Sequence, residues 1–510
     1  MSDNTSNNKR IAKNTAFLYL RMFISMSVSL YTSRVILKTL GVEDYGIYNV
    51  VGGVVAMFSF INSTMSTATS RFLTFEIGLD NQERLKDTFN ASFWVHVIIA
   101  AIVFVLCETI GLWFLNYEMI IPEGRELAAN IVFQFSIIST IIGITQVPYN
   151  AALIAHEKMD IYAYVEMANV FLRLGILYLL VIFDFDKLIL YGILTLIVST
   201  GIAMFYRIYG ASKYKECHIQ LKWQWPIIKP MLSFSGWDFF GNMSVTARTQ
   251  GVSMLLNVFF GPIMNAAAGI ASSVQAAVMS FANNVSTAVR PQIIKYYAQG
   301  KYKEMEKLIN NACRLNFFIL SLLTIPLCGE INYILSIWLG DFPKQTPIFC
   351  TLILLFNLFA NMSFMVVTGI HAYGRIIRPS LINGTLYLLV IPITYFSFKF
   401  GGNAWTPYLF NLLAVIFGML SNVYTLHKYV HDFSIKTFVL NVLLRAIILL
   451  CFGFTIVYIV NIFLPTGFFR LIITTITSTI SVGLIGWCIM LSNRQRNATI
   501  NIIKKLCKRI

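Results

Sequence analysis

Charged residues are scarce in this chain: Asp, Glu, Lys and Arg make up 12% of its 510 residues, half the roughly 25% of a soluble globular protein. That leaves too few polar groups to coat a water-facing surface, so most of the exterior must face lipid. Paired cysteines are missing too. The eight cysteines (107, 217, 313, 328, 350, 451, 488 and 507) show no CxxC or other paired spacing, and most lie in apolar runs where Cys behaves as a small hydrophobe. A disulfide framework and a thiolate metal site are therefore not expected. The six histidines are scattered without ligand spacing, and "HEKMD" (156–160) lacks the second histidine of a zinc-protease helix. No GxxxxGK[ST] is present, and the glycines near 41–53 follow no strand, so neither nucleotide hydrolysis through a P-loop nor dinucleotide binding is indicated. No metal and no cofactor are expected. The opening "MSDNTSNNKR" is polar, and the apolar run behind it has no nearby small-residue cleavage site, so that run reads as a first membrane helix rather than a signal peptide.

What the sequence does have is apolar length. It is 57% hydrophobic with mean hydropathy +0.69. A bilayer core about 30 Å thick needs roughly 20 apolar residues of helix. Fourteen stretches qualify, near 11–36, 45–69, 88–114, 126–150, 162–183, 187–208, 231–259, 263–289, 309–329, 345–370, 379–400, 405–427, 437–463 and 468–492. Unpaired backbone is not tolerated in hydrocarbon, so the expected fold class is an all-α integral membrane bundle.

The net charge of +16 is explained by where its lysines and arginines fall. With both termini cytoplasmic, the inner segments hold 27 of the 39 and the outer segments 6. This positive-inside bias sets the orientation and makes nucleic-acid binding unnecessary. Residues 71–87 and 290–307 are charged and amphipathic, and are expected to lie as helices on the cytoplasmic surface. "CHIQLKWQWPIIKP" (217–230) reads as an interfacial connector, and the tail from Asn493 as a basic segment, either solvated or resting on anionic membrane lipids.

The chain also repeats itself. At an offset of 220, Gly41 falls on Gly261, Ser66-Thr67-Ala68 on Ser286-Thr287-Ala288, and Asn90 on Asn310. "VLCETIGLWFL" (105–115) echoes "PLCGEINYILSIWL" (326–339), and "IAHEKMDIYAY" (154–164) echoes "IHAYGRIIRPS" (370–380). The expected organisation is a first six-helix lobe (1–210), a connector (211–230), a second six-helix lobe (231–430), two extra helices (431–493) and a basic tail (494–510). Transporters use such paired repeats to enclose a site.

These features, with "RVILKTLGVEDYGIYNVV" after the first span and its LGxxxYGxYN core (Leu40 to Asn49), resemble the Wzx-type polysaccharide and O-antigen flippases of the MATE-like (MOP) exporter superfamily. The resemblance implies a MATE/MOP flippase fold in a bacterial cytoplasmic (inner) membrane. It also implies translocation of undecaprenyl-diphosphate-linked oligosaccharide to the periplasmic leaflet for surface polysaccharide biosynthesis, with polysaccharide assembly proteins as partners. Lipid II flippases and MATE drug exporters share the fold, so fold alone does not choose a substrate. A membrane polysaccharide polymerase or ligase is the enzymatic alternative; it would usually present a large periplasmic loop, and every outer loop here is short.

Charges inside predicted spans are costly and need a reason. Arg21, Arg34, Arg173, Arg248, Arg314 and Arg445 face Glu108, Glu166, Asp238 and Glu330. By the resemblance, the first and seventh spans face a cavity between the lobes. Arg21, Arg34 and Arg248 are then expected to make a cationic cavity for a diphosphate head, arginine being the planar permanent donor suited to phosphate. A buried ion pair such as Arg21 with Asp238 is the structural alternative. Arg71 and Arg290 are expected to be positive-inside anchors or an inner gate. Asp238 and Asn242, one turn apart, are candidates for H⁺ or Na⁺ coupling. Glu166 and Arg173, seven residues apart on one face, are expected to pair within the helix or across to another, Arg314 to snorkel to headgroups, Arg445 to pack on a partner helix or lipid phosphate, and Glu108 and Glu330 to be solvated helix ends.

Overall fold

The computed structural model describes residues 14–25, 28, 39–40, 44, 47–48, 51, 64–118, 121, 123–183, 185–220, 222–491 and 496. Arg34, most of the LGxxxYGxYN segment and nearly all of the basic tail lie outside the described residues.

Every regular element among the described residues is helical. Helical segments at 14–25 (α1) and 64–78 (α2) precede α3, which runs Gln82–Leu106 and continues through π-helical turns at Cys107–Gly111 and Phe114–Glu118. Next come α4 (Glu126–Ala155), α5 (Met159–Ile182), α6 (Lys187–Lys213), α7 (Trp225–Phe260) and α8 (Pro262–Ala298). They are followed by α9 (Tyr302–Leu339), α10 (Thr346–Tyr373), α11 (Ile377–Lys399), α12 (Thr406–Tyr429), α13 (Ile435–Phe463, with a π turn at Val439–Leu443) and α14 (Phe468–Ile489). By length and composition, ten of the described helices can cross a membrane: α3 to α6 and α9 to α14.

The helix starts are written locally. Asn81 Oδ1 accepts the Arg84 N–H at 3.0 Å ahead of α3, and Asp186 Oδ1 accepts from Leu188 and Ile189 at 3.0 and 3.1 Å ahead of α6. Both are side-chain caps for otherwise orphaned first-turn donors.

The charged stretches 71–87 and 290–307 are not separate surface helices, contrary to expectation. Each is the end of one long helix, a three-residue turn (79–81 and 299–301), and the start of the next. The stretch of α9 ahead of its kink at Glu330, residues 302–329, extends about 42 Å at 1.5 Å per residue, beyond a ~30 Å hydrocarbon core. Its polar turns are therefore the part of the same helix that leaves the lipid, and continuing it keeps every backbone donor paired.

The chain forms two compact units, Met1–Phe239 and Phe240–Ile510, with the division inside α7. In the first, α4 packs on α6 and α3 around Leu85, Phe89, Tyr149, Leu153 and Tyr206. Asn90 of α3 ties down the connector: its Nδ2 donates to the His218 carbonyl at 3.4 Å and its Oδ1 accepts from the Gln220 N–H at 2.5 Å. In the second unit, α10 is central, packed by α8, α9 and α12, and Leu256, Leu335, Phe349 and Tyr408 fill the core.

Candidate functional site

Arg248 lies on the part of α7 that belongs to the second unit, a residue every turn of whose surroundings is helix wall. It is only 8% exposed. Its guanidinium sits over the Tyr387 ring at 4.6 Å and over Phe356 at 5.3 Å, and its Nε and Nη1 have no hydrogen-bond partner. Among the described residues no carboxylate comes within ion-pair distance of it. Two aromatic faces stabilise a desolvated cation by about 2 kcal/mol or more each, but they offer no acceptor for its N–H groups.

The same arginine lines a cavity of about 230 Å³. Four helices build its wall: Thr249, Ser253 and Leu256 come from α7, Ser272 and Gln275 from α8, Phe356 from α10, and Tyr408 and Asn411 from α12. Gln275 is oriented by Asn357, whose Oδ1 accepts its Nε2 at 3.0 Å. The result is a hollow of mixed polar and apolar lining that holds the Arg248 charge and its unused donors, which suits an anion. Its volume is below the roughly 300–1,000 Å³ of drug-sized ligand pockets, which suits a small group.

Arg21 belongs to the first unit, on α1. Its Nη1 donates to the Tyr162 hydroxyl of α5 at 3.1 Å, and the guanidinium lies 5.2 Å from the Tyr162 ring. No carboxylate pairs with it directly among the described residues, so the expected alternative of an Arg21–Asp238 pair is not realised. Glu166 lies within coulombic range of both Arg21 and Arg173. Of the two expected alternatives, the intrahelical Glu166–Arg173 pair does not form: Arg173 Nε donates to Asn169 Oδ1 at 3.2 Å, one turn away. The shorter reach to an uncharged acceptor on the same face wins over a partner two turns distant.

Arg71 is buried, its guanidinium 4.5, 5.3 and 5.7 Å from the rings of Phe72, Phe75 and Phe234. Arg290 is half-buried near the end of α8. Asp238 and Asn242 lie one turn apart on α7, half-buried and exposed respectively. Among the described residues no cluster of three or more His, Cys, Asp or Glu is placed to hold a metal ion.

Several charges are used for structure instead. Glu330 is 1% exposed and not a solvated helix end: Arg470 Nη2 donates to its Oε2 at 3.0 Å and Thr474 Oγ1 to its Oε1 at 2.9 Å. It sits at a kink of α9, with φ −118° and ψ 19° inside an otherwise continuous helix, where Asn461 Nδ2 donates to the carbonyl of Gly329 at 3.3 Å. Glycine is required at 329, because a Cβ there would come within 2.3 Å of Val457 Cγ1. Glu108, its counterpart in the first half, is half-buried in the π-helical turn of α3 and accepts from Gln134 Nε2 at 3.3 Å. Arg314 is 9% exposed, and its Nη2 donates to Asn311 Oδ1 on the same helix. Arg445 packs on a partner helix as expected, donating to the Ile489 carbonyl of α14 at 2.8 Å.

Two clusters were not anticipated. Arg125 binds Asp44 through both nitrogens of its fork, Nε to Oδ1 at 2.8 Å, and also Asp186 at 2.5 Å. Burial alone would raise the Asp186 carboxyl, but the N–H groups of Ile189 and Leu188 together with Arg125 hold it below the usual range. His156 bonds Glu216 at 2.6 Å and stacks on Tyr214 at 4.2 Å, tying the end of α4 to the connector. The acid directly before the apolar run of α6 is a sequence signal for Asp186 as a cap; nothing in the sequence pairs it with Arg125.

No family model matches the chain. It is 21% identical over 362 residues to the uncharacterized membrane protein EpsK of Bacillus subtilis, covering 69% of this chain and 68% of that one. Among solved structures it is similar to MATE in complex with MaD3S, with TM-score 0.68 and 15% identity over 83% of this chain and 97% of that one. A mutant of the Vibrio cholerae MATE transporter VcmN matches at TM-score 0.65 and 16% identity over 85% and 99%. A MOP superfamily transporter from Pyrococcus furiosus, described with a binding pocket of reversed polarity, matches at 0.66 and 16% over 82% and 96%. The chain has the fold of MATE/MOP superfamily transporters and is a multi-pass membrane protein.

Proposed function

We propose that this chain is a flippase that carries an undecaprenyl-diphosphate-linked oligosaccharide across a bacterial inner membrane by alternating access. The observation that carries the reading is Arg248: a buried guanidinium with no carboxylate at ion-pair distance among the described residues, holding two unpartnered nitrogens at the cavity. An insertion cost of about 2.5–3.5 kcal/mol for a charge at mid-membrane is offset when a phosphate group arrives. Its oxygens accept charge-assisted hydrogen bonds worth about 1.5–3 kcal/mol each. Gln275, Ser272 and Asn411 would complete the shell, while the prenyl chain stays in lipid and the sugars occupy wider space than this cavity offers.

In this reading fourteen spans form two repeated six-helix lobes plus two extra helices, with both termini cytoplasmic. Arg21 and Arg34 are the further arginines proposed to bind the diphosphate head, and Arg71 and Arg290 those proposed as an inner gate. Asp238 and Asn242 are the place to look for H⁺ or Na⁺ coupling. A MATE-type drug exporter is compatible with the fold, but cationic drugs call for an acidic cavity, and the described one is basic. The test is complementation of a gene deletion. Arg248→Gln, expressed and inserted normally, should fail to restore the surface polysaccharide and should accumulate its lipid-linked precursor. Full restoration would remove Arg248 from the mechanism.

A further inference from the structure

We infer that the C-terminal end of α14 carries a second phosphate-binding site, built from Arg314 of α9, Arg445 of α13 and Arg496. It shares no helix with the Arg248 cavity and stands whatever that cavity transports.

Arg314 and Arg445 lie close together there and Arg496 reaches the same helix end, with no carboxylate at ion-pair distance of any of them among the described residues. Arg445 Nη1 donates to the Ile489 carbonyl and Arg496 Nη2 to the carbonyl of Cys488, the last two residues of α14. Arg445 Nη2 is steadied by Asn441 Oδ1 at 3.2 Å, and Arg314 Nη2 by Asn311 Oδ1. Arg314 is 91% buried, reckoned from its 9% exposure, its Nε has no partner, and it lies within coulombic range of Arg445. A buried cation beside a like charge is doubly unfavourable. Among the described residues the local compensation is the end of a helix, equivalent to roughly half a negative charge, and Arg445 and Arg496 already use it. An anion with several oxygens resolves both problems, because planar guanidinium forks match phosphate geometry.

Depth indicates the source. Arg470, paired with Glu330, is in the first turn of α14, and Ile489 is its last residue. The 22 residues span about 33 Å, one hydrocarbon thickness, so the arginine cluster lies at a headgroup level. The lysine and arginine bias assigns that level to the cytoplasmic leaflet. The ligand is therefore the phosphate of an anionic membrane lipid.

The full-length protein in neutral detergent is the material for the test. Native mass spectrometry would follow retention of phosphatidylglycerol, with phosphatidylcholine and inorganic phosphate as separate arms. Wild type should retain phosphatidylglycerol, Arg314→Gln and Arg445→Gln should each weaken retention at least about tenfold, as for loss of a charge-assisted bond, and Arg248→Gln should retain it as wild type does. Arg314→Gln removes a buried like charge, so lipid-free protein should unfold no earlier than wild type, separating lost binding from lost folding. Displacement of the lipid by millimolar inorganic phosphate would identify a soluble anion as the ligand of the same site. Retention unchanged in both variants, with no response to phosphate, would overturn the inference.

Discussion

Asp80 and Gly300 hold the same left-handed backbone position, 220 residues apart, at φ 55° and φ 69°. Around Asp80 the N–H of residue 80 reaches the Ile77 carbonyl and that of Asn81 the Glu76 carbonyl; around Gly300 the same pair runs to Tyr297 and Tyr296. Both are paired closures of a helix C-terminus. Glu157 and Gly374, between the fourth and fifth helices of each half, repeat the exchange at φ 59° and 94°. The sequence echo at an offset of 220 thus recurs in the backbone at these turns, with an L side chain at Asp80 and Glu157 and glycine at 300 and 374.

A left-handed L residue costs about 1–2 kcal/mol. Asp80→Gly should therefore leave the thermal unfolding temperature in detergent equal or higher, and Gly300→Ala should lower it by an equivalent of about 1–2 kcal/mol. If Asp80→Gly proved the more damaging of the two, the equivalence of the two turns would be lost.

Glu330 and Arg470 form a buried pair that fixes the kinked part of α9 to α14. Removing one partner should cost about 3–5 kcal/mol, because the other charge stays buried alone. Glu330→Leu with Arg470→Met should recover most of that loss. The check is a double-mutant cycle by unfolding in detergent; additive losses would mean that the two residues act separately.

Glu216 gives a pH dependence. Burial raises its carboxyl, but the His156 hydrogen bond, a backbone N–H and the His156 charge outweigh burial and hold it below the ordinary 4.5. Its proton is bound less readily folded than unfolded, so its contribution is complete above about pH 4.5 and is lost as pH falls below that value. His156→Ala should destabilise the protein near neutrality and flatten the loss of stability below pH 4.5. A melting-temperature series from pH 3 to 7 checks it; parallel curves for the two proteins would contradict the pairing.

Arg125 joins residues from three separate parts of the first unit, Asp44, its own position ahead of α4, and the Asp186 cap of α6. Arg125→Ala should cost about 1.5–3 kcal/mol, the scale of a hydrogen bond to a charged group. Asp186→Asn keeps the cap and should cost less. Equal unfolding curves for wild type and Arg125→Ala would show the cluster to be dispensable.

The helical fold class was legible because lipid forbids alternatives, and the repeat was legible because glycines and small residues recur at fixed offsets. Where helices end was not. A charged stretch such as 290–307 has the same composition whether it lies on a membrane or continues a span into water; only the turn at Gly300 decides. The site was half legible. Arg248 stood out as a charge in an apolar run, but its aromatic shelf of Tyr387 and Phe356 comes from helices over 100 residues away. The Glu330–Arg470 pair was missed for the same reason: its partners are 140 residues apart, and each alone looks like a solvated helix end.

The most direct test of a cationic cavity is equilibrium binding to the purified protein, comparing undecaprenyl diphosphate with undecaprenol. Wild type should prefer the diphosphate, and Arg248→Gln should lose about 10- to 100-fold of that preference, as expected for one to two charge-assisted hydrogen bonds. Affinity for undecaprenol should not change. An Arg248→Gln protein that discriminates the two lipids as well as wild type would contradict the account.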